Sequence, residues 1–254
     1  MAVTQGSYGM MKFGSDFLGP DNDLTWGTGT VHIDGLGFVS VNEGSFEWTV
    51  DEGNGILAIT TDVGDDDNAV LMAGTFIPSV NGAITWECRF KFDSATLASV
   101  FCGFTETLSL ATPVMPVEFA TATMTYNGTG QVLGALLDTD ATTDDFRATS
   151  GDAGAVAGTN TATKAALVTA GIRASETITA DEWYVVRVEI NPSGIGAVYV
   201  GHQNRDLDLV LEVSGIPTTN PLYAVLMFEN RSAAARVFEV DYCWGTAYRD
   251  WEVT

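Results

Sequence analysis

Basic residues are scarce in this chain: eleven Lys and Arg stand against 33 Asp and Glu, a formal net charge of −22 at pH 7. A surface of that sign repels phosphate backbones and releases no counterions from them, so direct nucleic-acid binding is not expected. Histidine is scarcer still, with only His32 and His202. They lie far apart and outside any His-Glu-x-x-His pattern, which argues against zinc hydrolysis. The three cysteines, Cys88, Cys102 and Cys243, are odd in number and widely spaced. That argues against a disulfide framework or zinc knuckles and for reduced, buried thiols. There is no run of about 18 apolar residues, and the N-terminus lacks a basic segment leading into an apolar one, so neither membrane insertion nor export is expected. Missing too are a Gly-x-Ser-x-Gly elbow, a phosphate-binding glycine loop and a dinucleotide fingerprint.

What is present is apolar and strand-forming. Hydrophobic residues make up 46% of the 254 positions and charged residues 17%, which excludes a disordered chain and allows one sizeable core. From Ile84 to Phe92, Ile84, Trp86, Cys88, Phe90 and Phe92 alternate with Thr85, Glu87, Arg89 and Lys91, the period-two pattern of a strand with one wet face. Ser99 to Thr105 reads as a second strand paired to it, with Gly103 marking a bulge or a close backbone approach. Trp183 to Ile190 and Ala197 to Gly201 read as a hairpin about the turn formers Asn191 to Gly194. Leu222 to Phe228 and Arg236 to Trp244 read as another antiparallel pair. Gly55 to Thr61 and Ala69 to Phe76 flank a turn containing Gly64 and Asp65 to Asp67. The weak helical pattern at Ala162 to Ala170 sits inside an Ala-, Thr- and Gly-rich stretch, 138–177, that reads as long connections. Trp86, Phe90 and Val188 are expected to face one interior between two sheets, with Trp86 and Trp183 buried.

Chemistry is sought first among the carboxylates. A glycosidase needs two that face each other across a substrate. Glu239, Val240 and Asp241 begin the Glu-x-Asp-x-x-Glu strand pattern of laminarinase-type glucanases, but Trp244 stands where the last Glu belongs, so no catalytic residue is assigned. Two acidic groups, Asp65, Asp66 and Asp67, and Asp138, Asp140, Asp144 and Asp145, could supply oxygens to calcium. Neither matches a calcium-loop pattern, and solvated turns are the expected reading; no metal ligand and no cofactor are assigned.

The order of these segments resembles the concanavalin A-like lectin and glucanase superfamily, especially laminin-G-like modules of tailed-bacteriophage virion proteins. Asp16 and Phe17 followed by a loop and Trp26 resemble its first strand, Ala83 to Phe92 with Val100 to Glu106 its central strands, and Val237 to Trp244 its last. Leu137 to Phe146 resembles a segment recurrent in the phage versions. The expected fold is therefore an all-β, concanavalin A-like jelly roll of two antiparallel sheets. Its expected organisation is an N-terminal arm at residues 1–12, a sandwich at 13–247 and a tail at 248–254.

The resemblance implies a non-enzymatic virion structural protein, a decoration or cement protein on the outside of the major capsid lattice, assembled in the host bacterial cytoplasm. Its alternative is a carbohydrate-binding module that holds a host glycan, with a glycoside hydrolase third. Expected partners are the major capsid protein or another virion protein and further copies of the chain, a trimer among the forms considered, with no membrane. Contacts are expected through Tyr8, Met10 and Met11 of the arm, whose apolar side chains have no periodic place in the sandwich, through Phe13 next to them, and through Trp251 of the tail. Clustered Trp or Tyr on a concave sheet face favours the glycan; a broad apolar patch near the arm favours the lattice.

Overall fold

A computed structural model describes residues 9–17, 25–26, 29–33, 36–40, 44–49, 55–109, 113–121, 123–152, 171–174, 178–203 and 206–249. Alternation along the chain becomes two stacked antiparallel sheets. The nine-stranded sheet runs, from one edge, β17 (Asp208–Ser214), β16 (Ile195–His202), β15 (Tyr184–Ile190), β8 (Ile84–Phe92), β19 (Val237–Tyr248), β6 (Leu57–Thr60), β5 (Ser45–Trp48) and β2 (Thr25–Trp26). Its ninth strand, β1 (Met10–Ser15), pairs with the C-terminal half of β19. The eight-stranded sheet runs β14 (Ile172–Arg173), β13 (Arg147–Asp152), β12 (Gln131–Asp138), β9 (Ala98–Thr105), β18 (Leu222–Asn230), β7 (Asn68–Phe76), β4 (Leu36–Ser40) and β3 (Gly29–Ile33). A separate hairpin, β10 (Val117–Ala120) with β11 (Thr123–Tyr126), and one helical turn, α1 (Pro78–Asn81), complete the described elements.

Trp86, Phe90 and Val188 are all fully buried in the interior between the sheets, together with Cys88, Phe104, Tyr184, Phe228 and Phe238. Trp86 is held there by donating its indole N–H to the Val225 carbonyl at 3.0 Å, so the core's largest ring leaves no orphan donor. Gly103 does serve a close approach: a Cβ there would sit 2.3 Å from the Leu133 carbonyl oxygen on β12. The three cysteines are free and buried. Burial, first of all, pushes the Cys88 and Cys243 thiols up, which keeps them protonated.

Two expected pairings are corrected. The strand that follows β8 does not pair with it, because β9 lies in the opposite sheet between β12 and β18. Likewise β18 belongs to the eight-stranded sheet and β19 to the nine-stranded one. In both cases the short connection carries the chain across the sandwich instead of folding it back. The hairpin β15–β16 forms as expected, with Tyr184 opposite His202 and Ile190 opposite Gly196. The helical pattern at 162–170 lies outside the described residues.

The expectation of an arm at residues 1–12 is corrected for its last three positions, which are the start of β1. Met11, Phe13 and Ser15 oppose Ala247, Gly245 and Cys243, and Met11 and Phe13 pack against the core. Their period of two does have a place in the sandwich. Residues 1–8, with Tyr8, and 250–254, with Trp251, lie outside the described residues.

The outer face of the eight-stranded sheet is covered. Val70, Phe101, Val132, Leu136, Val225 and Met227 form a second apolar cluster with Met115, Val117, Phe119 and Met124, carried in and beside the β10–β11 hairpin. Every residue of β9 and β12 is consequently buried. The outer face of the nine-stranded sheet has no such cover among the described residues, and its side chains meet water.

Candidate functional site

On that open face β8, β15 and β19 lie side by side, and their outward residues share cross-strand rows. Glu87 on β8 opposes Trp244 on β19 and Arg187 on β15; Arg187 in turn opposes Tyr199 on β16. Trp244 is 41% exposed, and the residue opposite it on β1 is Gly14, which has no side chain to shield the ring. A shallow depression of about 480 Å³ opens here, lined by Thr85, Glu87, Arg187, Glu189, Tyr242 and Trp244 among others.

The polar groups of the depression are held in place by one another. Arg187 Nε donates to Glu87 Oε2 at 2.5 Å, and the Tyr242 hydroxyl donates to Glu87 Oε1 at 2.8 Å. Burial, the hydrogen bond to Glu87 and the Glu87 charge all push the Tyr242 phenol well up, so it stays a donor at neutral pH. Tyr199 is raised as well, by burial first and then by Glu189 and Glu212 against the pull of Arg187. The site thus offers aromatic surface, fixed acceptors and fixed donors without an unpaired buried charge.

The glucanase-like segment lies on the same face. A bulge at Asp241 interrupts the β19–β8 register, turning Tyr242 opposite Arg89. Both carboxylates are neutralised across the strands: Asp241 Oδ2 lies 2.5 Å from Arg89 Nη1, and Glu239 Oε2 lies 2.5 Å from Lys91 Nζ. Trp183 is not buried as expected. It is half-buried on the outer face, with the Arg89 guanidinium 4.7 Å and the Lys91 ammonium 5.0 Å from its ring centroid. Trp183 directly precedes the inward Tyr184, so the period of two in β15 turns it outward, and two cations give this ring a stable outer position.

The acidic groups considered for calcium meet at the opposite sheet, around an arginine. Arg231 has a side chain only 6% exposed and lies within 4.0 Å of carboxylate oxygens from Asp66, Glu118, Asp138, Asp140 and Glu229. The fully buried Asp138 side chain accepts from Arg231 Nε at 3.2 Å and Nη2 at 3.1 Å, and from the backbone N–H of Phe119 at 2.7 Å and Asp140 at 3.1 Å. A guanidinium therefore supplies the positive charge in this cluster. Elsewhere Asp145 pairs with Arg173 at 2.7 Å, and Asp67 accepts from the Gly64 N–H at 2.9 Å, closing the turn. Among the described residues no three His, Cys, Asp or Glu side chains are grouped to hold a metal. His202 is tied to Glu182 at 2.6 Å and edge-on to Tyr184, a structural pairing at the sheet's margin.

No protein-family model and no curated protein matches this chain. Solved structures do. A protein of unknown function from Shewanella oneidensis MR-1 superposes with a TM-score of 0.56 at 12% identity, over 95% of this chain and 88% of that one. Peanut lectin bound to a nine-residue peptide gives 0.54 at 11% identity, over 94% and 97%. A Lotus tetragonolobus seed lectin gives 0.50 at 7% identity, over 90% and 100%. At such identities the likeness establishes the fold, which is the concanavalin A-like jelly roll expected from the order of the strands.

Of the residues expected to make contacts, Met11 and Phe13 are drawn inward by β1 and Met10 lies half-buried beside them. Trp244, one of six tryptophans in the sequence that could stack on a sugar, is the most exposed aromatic among the described large hydrophobics. Arg187, Tyr199 and Tyr242 carried no motif. The signal that could have found them is register: each is the outward member of an alternating strand, and alternation plus the hairpin at 191–194 aligns Arg187 with Tyr199.

Proposed function

We propose that this protein is a carbohydrate-binding module whose binding surface is the outer face of the nine-stranded sheet, and that it holds its ligand without hydrolysing it. The observation that carries the reading is the exposed Trp244 ring beside the preorganised Glu87–Arg187–Tyr242 group. A pyranose presents C–H bonds on its ring faces and hydroxyls at its rim; the indole matches the first, and the carboxylate and guanidinium match the second. The lectin fold of the neighbours supports the reading as the class of scaffold, and the ion-paired state of Glu239 and Asp241 supports the absence of turnover. As the sequence resemblance implies, we place the module on a phage particle, where the ligand would be a host glycan. The capsid-lattice reading draws no support from β1, since residues 10–15 are spent within the sandwich.

The test is affinity electrophoresis and calorimetry with soluble neutral polysaccharides, using wild type and Trp244→Ala. Binding is expected to weaken by about tenfold or more, the effect of losing about 1.4 kcal/mol, while the melting temperature stays the same because the ring is not in the core. A protein retarded by none of the polysaccharides, or a variant that binds as wild type does, rejects the proposal.

A further inference from the structure

Trp244 is one end of a longer alignment. The registers of four strand pairs place Trp244, Glu87, Arg187, Tyr199 and Leu209 in one row across β19, β8, β15, β16 and β17, perpendicular to the strands and all on the outer face. Aromatic rings stand at two positions, Trp244 and the half-buried Tyr199, with the hydrogen-bonding pair Glu87–Arg187 between them. Three strand spacings separate the rings, about 14 Å, or roughly three pyranose rings laid end to end. Beyond Tyr199 the row ends on Leu209, 53% exposed at the sheet's edge strand, which offers no hydrogen bond to a further sugar.

We infer that this row binds a linear, uncharged oligosaccharide of about four residues that crosses the strands, with Trp244 and Tyr199 as its terminal stacking positions, since end rings three sugar lengths apart belong to a chain of four. The inference rests on the carbohydrate-binding reading and specifies its ligand. Charge selects the class. Glu87 and Arg187 cancel within the row, Glu189 and Glu212 flank it, and the whole chain carries −22, so chains of uronates or sulfated sugars are repelled. Geometry argues against a second copy of the protein: a flat protein face would desolvate the central ion pair, whereas sugar hydroxyls can hydrogen-bond to Glu87 and Arg187 as solvent does. Rigid strands hold the spacing, so the ligand's length and not loop closure sets the affinity.

Calorimetry with neutral linear gluco-, manno- and xylo-oligosaccharides of increasing length, from single sugars to pentamers, tests this on the full chain. Affinity for the bound series is expected to climb to the tetramer and then level. Tyr199→Ala should remove the last part of the climb, about tenfold at the tetramer, while leaving the affinity for the shortest ligands; Tyr199→Phe should keep the climb, because stacking needs the ring and not the hydroxyl. Equal affinity for monomer and tetramer, a preference for polyuronates, or a Tyr199→Ala variant that binds tetramers as wild type does overturns the row while leaving glycan binding intact. Binding of no glycan at all removes the carbohydrate reading with it. Sedimentation that shows a dimer lost in Tyr199→Ala assigns the row to a second copy instead.

Discussion

At the scale of single residues, Arg231 gathers carboxylates from both acidic segments, and the acids around it differ in what else surrounds them. Asp138 is fully satisfied by Arg231 and two backbone donors. Glu229 lies 2.8 Å from the same guanidinium, yet burial, with Asp66 and Glu118 nearby, outweighs the Arg231 attraction and pushes its carboxyl up to about 8 from an ordinary 4.5. Between those two values the unfolded chain has released this proton and the folded protein retains it. The stability contributed by neutral Glu229 is therefore complete below about 4.5 and is lost as pH rises through about 8. Thermal unfolding followed from about pH 6 to pH 9 should show a fall in melting temperature that Glu229→Gln reduces, since the amide keeps the shape and cannot ionise. Identical slopes for both proteins would place Glu229 in its ionised form throughout. None of this was legible in the chain, where Arg231 lies more than 90 positions from Asp138 and carries no motif.

At the scale of elements, β1 shows what alternation over a short stretch can hide. Gly14 has φ 126°, and a Cβ there would meet the Cys243 carbonyl oxygen at 1.9 Å, so the backbones of β1 and β19 approach closely only because it is glycine. Gly245 is the complementary case: it leaves the space taken by the Phe13 ring, which stacks on Phe76 at 4.5 Å and on Trp86 at 6.0 Å. The segment looked like an arm because its first dozen residues show no clear period, while Gly14 and Gly245, outside those residues, are the condition for its docking. Phe13→Ala is expected to cost about 2 to 3 kcal/mol in denaturant unfolding, below the roughly 3–5 for a fully enclosed Phe, and Gly245→Ala to destabilise by clash with the same ring. A Phe13→Ala protein as stable as wild type would detach β1 from the core. The strands β8 and β15 were legible because one face of each meets water and their alternation is clean. The pairing of β8 with β9 and of β18 with β19 was misread for a physical reason: periodicity reports which faces are buried, but not which neighbour supplies the hydrogen bonds. The uninterrupted burial of β9 reflected the hairpin over its outer face, and a strand covered on both sides gives no phase.

At the scale of the whole molecule the two faces of the sandwich divide the work, one closed by its own hairpin and the other left open with its charges paired in rows. Those pairs matter locally, but 33 acidic against 11 basic residues leave a surplus that no arrangement of partners can cancel. Self-repulsion of that surplus favours expansion, and dissolved salt relieves it, with a screening length of about 10 Å at 0.1 M. Salt also weakens the exposed pairs, such as Arg187 with Glu87, where the cation's side chain is 39% exposed; exposed pairs are worth about 1 kcal/mol or less each, and the described ones are few beside the surplus charge. The repulsive contribution should win. Raising sodium chloride from about 0.01 M to about 0.3 M is therefore expected to raise the melting temperature, with most of the gain complete once the screening length falls below the spacing of surface carboxylates. Neutral oligosaccharide binding, by contrast, should change little over the same range, because the proposed row carries no net charge to be screened. A melting temperature that falls with salt would mean that the cross-strand ion pairs, and not the acidic surplus, dominate the electrostatics of the fold; binding that collapses with salt would mean that the ligand is held by charge.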